Sequence, residues 1–560
     1  MTDFDAVVIG SGAGGLTTAL ALARAGQKVT VLEQHYAPGG WTHSFALDGF
    51  RFSPGVHYLG ELCEGGALRQ TLEGLGLGPA LTFFQLNPRG YDHVRSPGQH
   101  FDYPAGKAAL LEALFERFPD ERKGIAEVVG LLEAVRNELS EISNTKGFLE
   151  LLTLPYRTRH MGRYGGWSLK KILDPRVKDP IARGVLSVQC GDHGLPPSQV
   201  PFALHAAVAF HYLEGGWYPM HGGAGIAKAF TRGIERLGGS IQLETRADKI
   251  LFEGKRAIGV KLADGRELRA KNVISNADPA MTYNKLVGEE RLPNGLKKKL
   301  AKTKWSTSAV SLYFAVEDDL KAMGFDSGNY WLCPDVDAEV AYKAMQDPKM
   351  LERDVLPGMF LSVTTLKDPL AYDGRYHTCE AFILVPYETF AAWEGSLSGS
   401  RPADYEALKE KIAAKMFATL ESHFPGLTRR VVFKSVGTPL TNKFYCESNR
   451  GAIYGTEKTL GQLGPFSFNQ TSPFEGLMLC GASTLGHGVH GATLSGLNAA
   501  AALLGTKPTE LLEKNAAPIT TLLADDDRDW PAALKEKIAR RSGRVEPKEA
   551  LRSLPSPAAV

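Results

Sequence analysis

The 560 residues are too many to fold around one hydrophobic core, so the sequence predicts at least two lobes. Hydrophobic residues make up 43% of the chain and charged residues 22%, which is typical of a soluble globular protein. The 64 Lys and Arg residues nearly balance the 62 Asp and Glu residues, and the net charge of +2 gives no reason to expect a nucleic-acid partner.

The six cysteines are spread along the chain without a CxxC pair. This spacing is typical of buried thiols in a reducing compartment and favours neither a disulfide framework nor a metal site. The first residues do not have the form of a signal peptide, and no apolar run approaches the roughly 18 residues that span a bilayer. We therefore expect a cytoplasmic protein that holds no metal.

The first forty residues predict a βαβ unit that binds a dinucleotide. An apolar strand leads directly into the glycine-rich run 10–15, which is followed by a helical pattern and a second apolar strand. In this GxGxxG spacing, Gly10 allows the tight turn and Gly12 allows a pyrophosphate to approach the backbone. Gly15 allows the helix to pack closely on the strand. The N-terminus of the helix then offers free N–H groups to the phosphates.

Glu33 ends the second strand, 23 residues after Gly10, where an acid can accept hydrogen bonds from ribose hydroxyls. An acid at this position suits NAD and FAD equally. Gly39 and Gly40 soon open another backbone-accessible loop. This second glycine pair resembles one found in FAD-dependent oxidoreductases. In those enzymes the pair runs beside the ribityl chain and the flavin, so its presence here favours FAD over NAD.

From about residue 87 the cofactor signature gives way to helical patterns, which predict a separate lobe inserted into the first. The stretch 189–223 combines a buried helical face with the aromatic loop 217–219, an arrangement that suits the wall of a cavity. His205 and His211 are six residues apart instead of the three or four of a helical ligand pair, so we interpret both as packed histidines.

The chain returns twice to the cofactor lobe. Strand patterns between 240 and 270 lead to the segment NVISNAD at 272–278. Later, a buried strand within 476–481 precedes a glycine-led helix, whose N–H groups near His490 and Gly491 can stabilise an anionic flavin or its pyrimidine carbonyl. No second strand–GxGxxG–helix unit is present, so a separate nicotinamide domain is not expected.

Together these motifs resemble a branch of the flavin-dependent amine-oxidase-like superfamily that contains phytoene desaturases, carotenoid isomerases and retinol saturases. They are most similar to the retinol saturases, and the resemblance covers residues 1 to about 505. It rests on VLEQH (31–35), GVHYLG (55–60), PPSQ…HYLEGG (196–216), VISNA (273–277) and GLMLCGAST…GHGVHGATLSG (476–496).

The resemblance implies an α/β fold in which a discontinuous Rossmann-type FAD-binding domain carries an inserted α+β substrate-binding domain, as in two-domain amine-oxidase-like flavoproteins. The FAD-binding domain would comprise 1–86, 215–290 and 440–505, and the substrate-binding domain 87–214 and 291–439. Residues 506–560 form a polar C-terminal tail outside the match.

The resemblance also implies which residues contact FAD. They come from the glycine-rich run, the end of the second strand, the second glycine pair, the NVISNAD region and the C-terminal signature. These residues are Gly10, Gly12, Ala13, Gly14, Gly15, Glu33, Gln34, Gly39, Gly40, Trp41, Ala247, Asn276, Ala277, Gly481, Ala482, Val489, His490, Gly491 and Ala492.

The implied function is that of an FAD-dependent oxidoreductase acting on C=C bonds of a hydrophobic polyene or isoprenoid, retinoid- or carotenoid-like. As a saturase, it would pass a hydride from reduced flavin to one carbon while an acid protonates the neighbouring carbon. A desaturase, a cis/trans isomerase, an amine-oxidase-like enzyme and a flavin-containing lipid-binding protein without turnover all stay open. No motif in the sequence indicates which electron donor or acceptor the enzyme would use.

The candidate acids are His57 and Tyr58, which follow a glycine turn within GVHYLG, and Tyr218 of the aromatic loop. His221, His487 and His490 also lie on loops that the resemblance brings to this region, and solvent water stays open as the proton source. A further segment, GLKKKLAKTKW at 295–305, combines two leucines and a tryptophan with five lysines. Such a segment can lie at an anionic surface, which predicts peripheral association with the inner face of the membrane.

Overall fold

The computed structural model describes residues 2–144 and 148–542. Its 19 strands and 16 α-helices within those residues are connected by turns and short 3₁₀ and π segments. In chain order the strands are β1 (Phe4–Ile9), β2 (Val29–Leu32), β3 (Phe45–Leu47), β4 (Phe50–Phe52), β5 (Thr82–Gln85), β6 (Asp92–Ser96), β7 (Gln99–Tyr103), β8 (Trp217–Pro219), β9 (Ser240–Gln242), β10 (Ala247–Glu253), β11 (Arg256–Leu262), β12 (Glu267–Ser275), β13 (Ser308–Val316), β14 (Asn329–Leu332), β15 (Met359–Val363), β16 (His377–Val385), β17 (Val431–Gly437), β18 (Leu477–Leu479) and β19 (Thr520–Leu523).

The α-helices cover the faces of the sheets. In chain order they are α1 (Ala13–Arg24), α2 (Ala67–Gly74), α3 (Lys107–Arg117), α4 (Arg122–Asn144), α5 (Phe148–Arg157), α6 (Leu169–Leu173), α7 (Pro180–Val185), α8 (Phe202–His211), α9 (Gly223–Arg236), α10 (Asn294–Lys302), α11 (Ala338–Met345), α12 (Thr364–Lys367), α13 (Ala403–His423), α14 (Pro439–Cys446), α15 (Gly488–Leu504) and α16 (Ala532–Ser542). None of these helices, over the residues described, is long and apolar enough to cross a membrane.

The first sheet is built around the dinucleotide motif. Its strands run in the order β10-β11-β12-β1-β2-β9, and β18 also pairs with β12. β1 lies between β12 and β2 and is parallel to both, with Val8 opposite Ile274 on one side and Val31 on the other. These residues are fully buried, and Val7 and Ile9 of β1 pack in a second core cluster on the other face. Both faces of the sheet are therefore covered, which explains why the strands are continuously apolar.

Helices α1 and α15 pack closely beside this sheet. The hydroxyl of Thr18 in α1 donates both to the carbonyl oxygen of Gly14 (2.9 Å) and to that of Gly496 in α15 (3.0 Å). A Cβ at residue 496 would lie 2.1 Å from the carbonyl oxygen of Gly14. The C-terminal signature is therefore held against the N-terminal one, although nearly 500 residues of chain separate them.

The second sheet has seven strands in the order β17-β13-β16-β15-β14-β6-β7. All neighbouring strands are antiparallel except β14 and β6. The core between the sheet and α4, α6 and α8 contains Trp331, Phe360 and Leu384, and α13 packs on residues of the sheet that belong to another core cluster. The strands of each large sheet lie inside the segments predicted for the two domains.

Residues 506–542 fold back onto the rest of the chain. β19 pairs in parallel with β5, which is antiparallel to β8, and the ring of Trp530 lies 5.6 Å from that of Phe84. The sequence predicted a polar tail here and did not anticipate β19, because a four-residue strand without periodicity carries no local signal. Residues 543–560 of the predicted tail lie outside the described residues.

We predict that a fragment ending at residue 210 does not bind flavin. It would lack β9–β12, β18 and α15, and β1 would lose its neighbour β12, so the cofactor edge of the sheet could not form. The measurement is flavin absorbance after reconstitution with FAD, using the full chain prepared in parallel as the control. Stoichiometric flavin binding by the fragment would contradict the discontinuous domain.

Candidate functional site

A cavity of about 320 Å³ lies between the two large sheets. The carboxyl ends of β1, β2, β12 and β18 meet along one side, where open parallel sheets bind their ligands. Most of the residues predicted to contact FAD line this cavity, namely Gly10, Gly12, Ala13, Gly14, Glu33, Gln34, Gly39, Gly40, Trp41, Ala247, Asn276, Ala277, Gly481, Ala482, Val489 and Ala492.

Glycines leave the space that a dinucleotide needs beside α1. A Cβ at residue 15 would lie 2.1 Å from the carbonyl oxygen of Gly10, so only glycine lets the helix begin this close to β1. A Cβ at residue 12 would lie 2.7 Å from Nδ2 of Asn276. No side chain caps the N-terminus of α1, so its first N–H groups are available to the phosphates of FAD.

Glu33 is held in place by the glycine-rich loop. Its Oε2 accepts hydrogen bonds from the backbone N–H (2.9 Å) and the hydroxyl (2.5 Å) of Ser11, and its Oε1 accepts one from the N–H of His35 (2.9 Å). The Ser11 hydroxyl in turn accepts the N–H of Gly39 at 3.0 Å. The carboxylate predicted to bind ribose is thus oriented by Ser11, a residue that the sequence did not single out.

Asn276 joins the loops that follow three strands. Its backbone N–H donates to the carbonyl oxygen of Ile9 (2.9 Å), and its Oδ1 lies 3.5 Å from Sγ of Cys480. The side chain therefore lies between the glycine-rich loop and the C-terminal signature. This half of the cavity has free N–H donors at the start of α1, open space beside its glycines and an oriented carboxylate at Glu33. All three features fit FAD.

The rest of the lining combines apolar and polar side chains from both lobes. The apolar ones include Met281, Leu286, Ala309, Phe382 and Ile453, and they stand beside polar residues such as Ser311, Asn442 and Ser448. The apolar side chains offer dispersion contacts to a hydrophobic ligand.

His57 is the only histidine in the cavity lining within the described part of the chain. Its ring lies 5.1 Å from that of Phe382, and its Nδ1 is 3.3 Å from Oε2 of Glu380, a side chain only 2% exposed. The carbonyl oxygen of His57 accepts a hydrogen bond from Nζ of Lys367 at 2.8 Å. Glu380 thus lies beside the ring of His57, and Lys367 holds its backbone. No local signal in the sequence pointed to either residue.

Tyr58 does not line the cavity but lies buried behind it. Its ring stacks on that of Tyr212 at 4.1 Å, and its hydroxyl donates to Asp92 (3.2 Å) and Asp192 (3.4 Å). Burial raises the pKa of Asp92 to about 6 and that of Asp192 well above its usual range. Burial, together with these carboxylates, also raises the pKa of Tyr58, whose hydroxyl therefore stays protonated and donates.

Tyr218 is likewise buried and outside the cavity lining. It belongs to β8, whose aromatic residues pack inside the protein, so the loop predicted as a cavity wall is a strand paired with β5. Nζ of Lys367 lies 5.7 Å from the ring centroid of Tyr218. Burial raises the pKa of its hydroxyl well above the usual range.

Asp278 is a cavity-lining acid that the sequence did not single out. It accepts a hydrogen bond from the N–H of Ala280 at 2.8 Å, and burial raises the pKa of its carboxyl to about 7. Its position directly after the VISNA motif was the only sequence signal that could have identified it.

His490, at the start of α15, does not line the cavity, and neither do Gly15 and Gly491. Nδ1 of His490 lies 3.3 Å from Oε2 of Glu61, and Arg136 donates to Oε1 of the same carboxylate at 2.8 Å. Burial acts against ionisation of Glu61, but its hydrogen bond with His211 and the nearby charges lower its pKa to about 2. The sequence did not single out Glu61.

Glu61, His211 and His490 lie close enough together to suggest a metal site. However, Nε2 of His211 accepts the N–H of Gly60 at 2.9 Å, so in the neutral ring Nδ1 carries the proton and faces Glu61. Arg136 also occupies one oxygen of the carboxylate. Glu61 is thus bonded to Arg136 and lies beside both imidazoles, while Nε2 of His490 is buried without a hydrogen-bond partner among the described residues.

Comparisons with known proteins agree with this geometry. The model of the family described as flavin containing amine oxidoreductase matches residues 13–504. The chain is 31% identical to all-trans-retinol 13,14-reductase of Rattus norvegicus, covering 89% of this chain and 85% of the relative. It is also 31% identical to chloroplastic prolycopene isomerase of Arabidopsis thaliana, covering 88% and 81%.

Among solved structures, a putrescine oxidase bound to putrescine matches with a TM-score of 0.60 at 19% identity, covering 90% of this chain and 99% of that one. The fold is therefore that of a two-domain amine-oxidase-like flavoprotein, as the sequence predicted. The chain belongs to the flavin-containing amine oxidoreductase family. It is an FAD-dependent oxidoreductase, and the predictions of its family and its cofactor are confirmed.

We predict that Gly12→Val abolishes flavin binding, because the added methyl groups would displace Asn276 and fill the space of the pyrophosphate. The variant should purify without the yellow flavin spectrum while its apoprotein unfolds cooperatively. The matched control is Gly130→Val in α4, where an added Cβ meets no heavy atom within 4 Å. A full flavin spectrum in Gly12→Val would contradict the assignment of this loop.

Proposed function

We propose that this oxidoreductase acts on C=C bonds of a hydrophobic polyene of the retinoid or carotenoid kind, as a saturase. The observation that carries the proposal is one cavity that is bordered by the FAD-binding loops and is also lined by apolar side chains from both lobes, among them Phe382 and Ile453. The relatives named as a retinol reductase and a prolycopene isomerase support a polyene as the substrate.

When bound and reduced, FAD supplies the hydride for such a reaction. The protein has to hold the polyene against the apolar side chains of the cavity, exclude water and protonate the carbon beside the one that receives the hydride. Conjugation is required because the developing charge must delocalise over the neighbouring double bonds.

His57 is the proposed proton donor. It lines the cavity, and its Nδ1 lies 3.3 Å from Oε2 of the buried side chain of Glu380. Nδ1 is buried against Glu380, so Nε2 is the nitrogen that would donate the proton to the substrate. Asp278 is the alternative acid in the lining. Tyr58 and Tyr218 do not line the cavity, so they would have to pass a proton through His57 or reach the substrate after the lining rearranges.

The direction of hydride transfer is tested by anaerobic mixing. Photoreduced protein is mixed with all-trans-retinol or with a carotenoid, and flavin and polyene spectra are followed together. A saturase oxidises one flavin for each C=C bond lost, whereas an isomerase changes the polyene without net flavin oxidation. Flavin reduction on mixing oxidised protein with the polyene would mean a desaturase, and no reaction in either state would mean a binding protein.

We predict that His57→Ala keeps the flavin spectrum and its reduction but loses polyene turnover by about 10²–10⁴-fold, the usual contribution of a general acid. The control is His100→Ala, an exposed histidine outside this cavity. Tyr58→Phe, Tyr218→Phe and Asp278→Asn are measured alongside. Normal turnover in His57→Ala together with loss in one of these variants would move the assignment to that residue.

We further propose that α10 brings the protein to an anionic membrane surface. Leu296 and Leu300 of this helix pack against the core of the first sheet, so the attraction would be electrostatic and would not involve insertion of these leucines. Lys297 and Lys298 are exposed, whereas Lys299 donates to the carbonyl oxygen of Ser467 at 2.6 Å.

We predict salt-sensitive flotation with vesicles that contain anionic lipid. Lys297→Gln and Lys298→Gln should each weaken binding by about 1 kcal/mol, the usual contribution of a lysine near such a surface. Lys299→Gln is the matched control and should have a smaller effect, because this lysine is held against the protein. Unchanged flotation in the double variant Lys297→Gln/Lys298→Gln would exclude α10 from membrane binding.

A further inference from the structure

Lys458 is a buried lysine for which the described part of the chain offers no nearby carboxylate. Its side chain donates to the carbonyl oxygen of Ala482 (2.7 Å) and to the hydroxyl of Thr456 (3.4 Å), and the residue is only 3% exposed. Within residues 2–144 and 148–542, no carboxylate forms an ion pair with it or raises its pKa. Burial alone lowers its pKa to about 7.

Lys367, the other deeply buried lysine, is in a different situation. Its pKa is also lowered to about 7 by burial, but Asp92, Glu380 and Asp326 lie close enough to act against that shift. Lys367 therefore has carboxylates of the protein nearby, which Lys458 lacks among the described residues. An ammonium group buried without a counter-charge is strongly unfavourable, so Lys458 needs either to lose its proton or to face an anion from outside the chain.

The position of Lys458 indicates where such an anion would lie. Its bonding partner Ala482 lines the cavity directly after β18. His487, the N-cap residue of α15, is close enough for Lys458 to lower its pKa further, after the larger effect of burial. Lys458 and the positive end of the α15 dipole therefore act on the same side of the FAD-binding cavity.

FAD carries two groups that could supply the missing negative charge. One is the pyrophosphate, for which α1 already offers its uncapped N-terminus. The other is the flavin ring, which becomes anionic at its pyrimidine edge when it is reduced. Positive charge near that edge is one of the means by which a protein sets the electronic properties of a flavin.

We infer that Lys458 is the fixed positive charge that, together with the N-terminus of α15, stabilises the anionic pyrimidine edge of the reduced flavin ring. Lys458 thereby favours reduced over oxidised FAD without touching the substrate. This role depends on FAD as the cofactor and is independent of which polyene is reduced or in which direction.

Sulfite provides a probe that needs no substrate. Its sulfur lone pair forms a bond to N5 of oxidised flavin, and the electron pair displaced into the ring places a negative charge at the pyrimidine edge. The affinity for sulfite therefore reports stabilisation of that charge, and the affinity for FAD reports contacts with the whole cofactor. Both are measured by spectrophotometric titration of the holoprotein.

Lys458→Met and Lys458→Gln should retain FAD, bind sulfite about tenfold or more weakly and have a more negative flavin reduction potential, because a nearby opposite charge is lost. Lys458→Arg keeps the positive charge and should bind sulfite more tightly than the two uncharged variants. Lys304→Met, which removes an exposed lysine outside the cavity lining, is the matched control and should leave sulfite affinity unchanged.

Two results would overturn the inference. The first is unchanged sulfite affinity in both uncharged variants. The second is a loss of FAD affinity in these variants with normal sulfite affinity in the holoprotein that remains, which would assign Lys458 to the pyrophosphate. Two uncharged replacements are used because Met removes both polar contacts, whereas Gln can keep the hydrogen bond to Ala482. Failure of polyene turnover would leave these measurements unaffected.

Discussion

The close approach of α1 to the end of β1 is the constraint on which the rest of the structure depends. A Cβ at residue 15 would lie 2.1 Å from the carbonyl oxygen of Gly10, so the helix can begin where it does only because residue 15 is glycine. This position directs the N-terminus of α1 towards the cavity and brings Thr18 within hydrogen-bond distance of Gly496. One steric condition therefore sets both the phosphate site and the packing of α15.

The cofactor half of the cavity is assembled by backbone groups and short side chains. Ser11 connects the first glycine loop with Glu33 and Gly39, and Asn276 lies between that loop and the C-terminal signature. Short side chains lose little conformational entropy when they are ordered, so such a site is rigid before its ligand arrives. A rigid site suits a cofactor that stays bound through each reaction.

Buried charged side chains lie behind the cavity, and they differ in whether an opposite charge lies nearby. Glu380 lies beside the ring of His57, and Lys367 donates a hydrogen bond to its backbone. Carboxylates near Lys367 act against the effect of burial on its pKa. Among the described residues, Lys458 has no such carboxylate nearby, and it lies behind a carbonyl group that borders the cofactor loops. Charges of both signs therefore lie behind the proposed acid, whereas the buried charge of Lys458 lies where the flavin ring is proposed to carry a negative one.

The sequence by itself determined the family, the cofactor and most residues of the cofactor half, because these depend on local rules. Gly10, Gly12 and Gly15 are readable from their spacing, and Glu33 from its place at the end of a strand. Only the tertiary structure decided which side chains meet across long sequence separations. Glu380 lies beside His57 across 323 residues and His490 beside Glu61 across 429, while β19 pairs with β5 from the far end of the chain. Such contacts carry no periodicity or spacing in the sequence, since they arise only when separate segments are packed into one core.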